Sequence, residues 1–171
     1  MTQPVPRLGN TPSLWRMEAT PIICVLLASA LPSLMPIVVQ VPTLPPVGLL
    51  FLVGWRLIHH ELWPLWIGAP LGAFDDIMSG QPLGTAVFLW SVVMMAIEIA
   101  DARLLWRDYW HDWLIAICAC LFFLAGGTIL GWLSGSQAPI ELILPQLLWS
   151  ALLYPIIVRF IARIDRWRMM A

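Results

Sequence analysis

Two adjacent carboxylates, Asp75 and Asp76, stand beside a Ser-Gly pair in "AFDDIMSGQPLG", residues 73 to 84 of an otherwise apolar chain. Several kinds of chemistry could use such a pair. A diphosphate-binding DDxxD motif needs a third acid at position 79, which is Ser79, and the sequence has no second acidic cluster to face it. The D-G-x-x-A-R pattern of membrane phosphatidyltransferases is missing too. Catalysis is therefore not expected. Two uses remain open. An aspartate can accept backbone N–H groups of "SGQP" and cap a helix that starts at Pro82, or it can act in recognition at the membrane surface. The stretch "HHE" (His59 to Glu61) has a metal-site look, but adjacent histidines point about 100° apart on a helix. The remaining histidine, His111, lies in another loop, so no three-ligand shell is indicated and no metal or cofactor is expected. Cys24, Cys118 and Cys120 all sit within apolar runs and read as small core residues.

The elements that must position these residues are membrane helices. Hydrophobic residues make up 60% of the 171 and charged residues only 11%, against roughly 45–50% and 25% in soluble domains. Without a basic excess there is no electrostatic footprint for nucleic acid. Arg7 and Arg16 followed by an apolar run and "ASA" imitate a signal peptide. That run continues to Val39, however, well beyond the roughly 7–15 residues of a signal h-region, so an uncleaved span is expected. Apolar runs occur at about 19–40, 45–58, 62–74, 82–100, 113–133 and 140–162, with a segment at 1–18 before them and a basic tail at 163–171. Runs two and three are shorter than the ~20 residues that cross a hydrocarbon core upright, and such segments belong in a bundle interior.

Charge sets the orientation. With the N-terminus cytoplasmic, segments 1–18, 56–61, 101–112 and 159–171 hold every basic residue in the chain, and loops 41–44, 75–81 and 134–139 hold none. That asymmetry follows the positive-inside rule and supports six crossings with both termini cytoplasmic. A re-entrant hairpin of runs two and three would keep the orientation but bury Arg56 and Glu61. Glu98, near the inner end of run four, is expected to pair with Arg56 or Arg103, since an isolated carboxylate at that depth is costly. Interior prolines Pro32, Pro36, Pro145 and Pro155 are expected to kink their helices.

Small residues mark where helices approach. Gly68, Gly72, Asp76 and Gly80 recur every four residues, and Gly127, Gly131 and Gly135 repeat the device in run five. "DARLLWRDYWHDW" (101–113) sets Trp106, Trp110 and Trp113 at i, i+4 and i+7, an amphipathic connector suited to the inner interface. Arg159, Arg163 and Arg166 form one basic face of the tail, enough to attract anionic lipid.

The stretch "IGAPLGAFDDIMSGQPLG", preceded by a proline-started second span, resembles MreD, the bacterial rod-shape-determining membrane protein family. The matching elements are Gly72, Asp76, Ser79, Gly80, Leu83 and Gly84, with "YP" (Tyr154 and Pro155) and a basic tail resembling the family's ending. Asp75 departs from the pattern, since the family usually has an apolar residue there. The resemblance implies a non-enzymatic scaffold of the cell-elongation machinery in the inner membrane. Its partners would be MreC, MreB, RodA and the elongation-specific penicillin-binding transpeptidase. It also implies an all-α, six-helix bundle similar to the substrate-binding subunits of energy-coupling-factor transporters, whose vitamin binding supplies the alternative function. The outer loops here are only about four to seven residues long, which leaves little to close over a ligand.

Cysteines introduced at Gln81 and Arg103 are expected to react with an impermeant thiol reagent from opposite sides of the membrane. Reaction of both from one side would break the six-crossing topology.

Overall fold

The computed structural model describes residues 14–34, 44–59, 63–103, 108–135 and 140–170. They are helical throughout, with no strand among the described residues: α1 (Leu14–Leu34), α2 (Val47–Ile58), α3 (Gly68–Ser79), α4 (Thr85–Arg103), α5 (Tyr109–Leu133) and α6 (Ile143–Met170). Single 3-10 turns, Leu65–Ile67 and Ile140–Leu142, lead into α3 and α6. Three stretches, Thr85–Arg103, Tyr109–Leu133 and Ile140–Met169, are long and apolar enough to cross a membrane, whereas the apolar helical stretches Ala19–Leu34 and Val47–Ile58 are shorter.

The helix ends follow local chemistry. Pro45 and Pro46 precede α2, where the missing N–H groups are harmless. α3 stops at Gly80, which takes φ 69° and donates its N–H to the Asp76 carbonyl at 3.1 Å, the left-handed stop that glycine adopts without a Cβ penalty. Several boundaries move from the positions the apolar runs suggest. α3 is displaced toward the turn, which puts Asp75 and Asp76 inside its last turns rather than at a loop edge. α5 begins at Tyr109, so Trp110 and Trp113 belong to that helix and not to a separate connector; Trp106 lies outside the described residues. α6 runs unbroken through the basic tail.

α2 lies at the centre. α1 packs on α2 and α3, α3 on α4, α4 on α5, α5 on α6, and α6 returns to α2. Leu49, Leu50, Leu52, Val53, Trp55 and Leu57 of α2 are all buried, because a 12-residue helix about 18 Å long can be enclosed on every side by longer neighbours. Close approach needs glycine in places. A Cβ at Gly54 would lie 2.7 Å from Ile161 Cδ1, and one at Gly48 would collide with Ser29 Oγ.

Of the expected kink prolines, Pro32 is inside α1, together with Pro21, and Pro155 is inside α6. Pro145 sits in the first turn of α6, where its ring disturbs no helical bond, and Pro36 lies outside the described residues. At Pro155 the missing N–H deprives the Ala151 carbonyl of its i+4 donor. The Trp113 indole of α5 donates to that carbonyl at 3.1 Å.

Trp113→Phe keeps an aromatic ring but removes the indole donor, and loss of that hydrogen bond should lower stability by about 1 kcal/mol, as for other hydrogen bonds between membrane helices. Unfolding in detergent micelles reads the loss, and a second variant with Pro155→Ala should recover it, because Ala151 then regains a helical donor.

Candidate functional site

The α3–α4 turn gathers most of the residues that the sequence singled out. Gly68, Gly72 and Asp76 share one stripe of α3, facing α4 in antiparallel register. A Cβ on Gly72 would lie 2.6 Å from the Ala86 carbonyl oxygen, and one on Gly68 would lie 3.1 Å from that of Trp90. Both glycines are buried. Equal four-residue steps on the two helices, 68 to 72 and 90 to 86, produce this ridge-in-groove contact.

One turn further on, the stripe carries Asp76, which is 1% exposed. Its Oδ2 accepts the Gly84 N–H at 2.8 Å and that of Val87 at 3.4 Å, while Oδ1 accepts the Ala86 N–H at 2.7 Å. These are the N-cap, N2 and N3 donors of α4, groups without intrahelical partners. An N-cap side chain ordinarily satisfies them, but this position is Gly84, at φ 101°, with no side chain to offer. Asp76 serves as a cap supplied from the preceding helix, and the positive end of the α4 dipole favours its charge there. The expectation of a cap at this turn is met, with the donors shifted from "SGQP" to Gly84, Ala86 and Val87. With both oxygens committed to backbone donors, Asp76 has a structural role.

Asp75 faces another way, toward α1 and α2: its Oδ1 would be 3.2 Å from a Cβ on Gly48, beside the Ser29 hydroxyl. Ser33, one turn along α1, donates to the Met78 carbonyl at 2.6 Å. Two α1 serines thus meet α3. Ser79, Gly80, Leu83 and Gly84 form the exposed tip of the turn, with Leu83 78% exposed. Nothing lies within 4 Å of a Cβ built at Gly80 or Gly84, whose positive φ angles account for glycine there. Gly80 ends the helix, so it does not extend the α3 stripe.

The glycines of run five behave differently from those of α3. Gly126, not Gly127, meets α4, its Cβ position lying 2.6 Å from Leu89 Cδ2. Gly135 lies beyond α5 at φ 85°. Gly127 belongs to the same stripe as Cys120, Phe123 and Gly131, all buried, yet a Cβ there would meet nothing within 4 Å. Gly127 itself is half-buried, with open space in front of it.

At the far end of the bundle, α2 organises the ionic groups. The Arg56 guanidinium, 3% exposed, pairs with Glu98 of α4, as the cost of an isolated carboxylate implied, and lies 3.9 Å from Asp101. A second cluster was not foreseen from sequence. His59 is 3.0 Å from Asp165 of α6, Arg168 is 2.7 Å from the same oxygen, and the Arg168 guanidinium stands 5.4 Å over the Trp55 ring. The available signal was Trp55 and His59 one helical turn apart, with Asp165 the sole acid of the tail. His60 and Glu61 lie outside the described residues, and among the described residues no three His, Cys, Asp or Glu side chains form a metal-binding group.

No protein-family model, curated protein or solved structure matches this chain. The geometry of the turn and the open space at Gly127 therefore carry the functional reading.

Asp76→Ala should destabilise the protein by about 1–2 kcal/mol, the usual value of a lost cap. Asp76→Asn, which keeps one acceptor oxygen, should lose less. Unfolding midpoints of the purified variants test this order; equal stability of all three forms would show that the cap contributes nothing.

Proposed function

We propose that this chain is a six-crossing inner-membrane scaffold without enzymatic activity, acting in cell elongation as MreD does. We infer that it binds the single transmembrane helix of an MreC-type partner, with MreB, RodA and the elongation-specific transpeptidase joining the same assembly. The open space beside half-buried Gly127 is the observation that supports helix binding. Within hydrocarbon, helices associate by close van der Waals contact, and an unfilled glycine on an otherwise buried stripe offers a partner backbone that contact. The MreD resemblance supplies the partner's identity. The five residues from Gly80 to Gly84 that join α3 to α4 form a short cover, which favours the scaffold over a vitamin-binding subunit.

Gly80→Leu and Gly84→Leu would be poor tests of this contact, because leucine at those φ angles strains the turn itself. Gly127→Leu is cleaner. It fills open space, so the purified protein should keep its unfolding midpoint or gain slightly, while copurification with coexpressed MreC falls severalfold. Undiminished copurification would remove the Gly127 face as the binding site.

A further inference from the structure

The inner end of α6 separates its charges by direction. Asp165 and Arg168 turn toward α2, where they meet His59 and Trp55. Arg159, Arg163 and Arg166 are all exposed, and no ion pair joins any of them to an acid among the described residues; the Arg166 Nε donates only to the Ala162 carbonyl, at 3.3 Å. With the single acid of this segment already engaged inside, the outward face carries three positive charges that no acid among the described residues compensates. They follow i, i+4 and i+7 spacing, which puts them on one side of the helix over about 10 Å.

The depth of this face in the membrane follows from helix length. α6 has 28 residues, about 42 Å, whereas the hydrocarbon core is about 30 Å thick. Counted from Ile143, about 20 residues fill that core, so hydrocarbon ends near Ala162. Arg159 is then within side-chain reach of the interface, and Arg163 and Arg166 stand at headgroup level. Phe160 and Trp167, 51% and 62% exposed, accompany the arginines, and aromatic rings favour the same layer.

We propose that Arg159, Arg163 and Arg166 form a binding face for the phosphate groups of anionic phospholipids. The occupant is a lipid headgroup: three guanidinium groups without acidic partners among the described residues meet a layer of phosphates, and the aromatic rings enter the acyl boundary beside them. The proposal rests on the crossing of α6 assigned above, not on the protein partner.

Full-length protein in a neutral detergent, titrated with phosphatidylglycerol or phosphatidylcholine and read by native mass spectrometry, provides the test. Phosphatidylglycerol should bind more tightly, with preference falling about fivefold for each arginine changed to glutamine and roughly a hundredfold for all three. The triple variant Arg159→Lys, Arg163→Lys, Arg166→Lys should retain most of the preference, because charge is kept. Equal binding of the two lipids by the unmodified protein, or a preference that survives in the triple glutamine variant, overturns the proposal. Competition by inorganic phosphate at matched concentration would assign the face to a free anion and overturn it as well. If the triple glutamine variant does not fold, the three single variants give the same reading. Loss of lipid preference with intact MreC copurification, or the reverse, separates this proposal from the scaffold reading.

Discussion

A helix that begins at a tight turn leaves N–H groups without helical partners, and a side chain elsewhere in the protein can satisfy them. At the start of α4 that task falls to Asp76, one turn before the end of the preceding helix. The reach of an aspartate is short, so α3 and α4 must lie almost in backbone contact. That proximity in turn excludes side chains at Gly72 and Gly68, which face Ala86 and Trp90. Glycine at 80 and 84 follows from the same constraint, since a five-residue reversal between such close helices uses backbone angles that other residues rarely adopt. One carboxylate thus explains why a charge, two packing glycines and two turn glycines occur within seventeen residues.

The same accounting governs the centre of the bundle. α2 is surrounded on all sides and carries a buried guanidinium, which its neighbours must answer; α4 does so with Glu98 and Asp101. α6 adds Asp165 and Arg168 around His59 and Trp55. Charged groups in such surroundings contribute little net energy over an apolar replacement, but mispairing them is expensive. Their arrangement consequently fixes the rotation of α4 and α6 about α2.

Much of this was legible in the chain, and for physical reasons. Long apolar runs revealed α4, α5 and α6 because their signal is additive over about twenty residues. The four-residue spacing of Gly68, Gly72 and Asp76 identified a contact stripe because helical period alone determines it. The cost of isolation gave Glu98 two candidate partners, Arg56 and Arg103, of which the fold brings it Arg56. The cap donors were not legible, since an aspartate eight residues ahead of an N-cap glycine is no local motif and becomes one only when two helices fold back on each other. The start of α5 was obscured because "DYWHDW" carries polar residues that a hydropathy reading assigns to a loop, although nothing in it opposes a helix. Gly127 and Gly126 differ by one position, hence by about 100° of azimuth, a distinction that needs the neighbouring helices in place.

Pro155 ties α6 to its predecessor in a way that bears on biogenesis. Taken alone, α6 carries the unanswered carbonyl of Ala151 into hydrocarbon; the matching donor, Trp113, belongs to α5, which the ribosome completes first. A hairpin of the two matches that carbonyl with its donor, so lateral release from a translocation channel would be energetically easier for the pair together than for α6 alone.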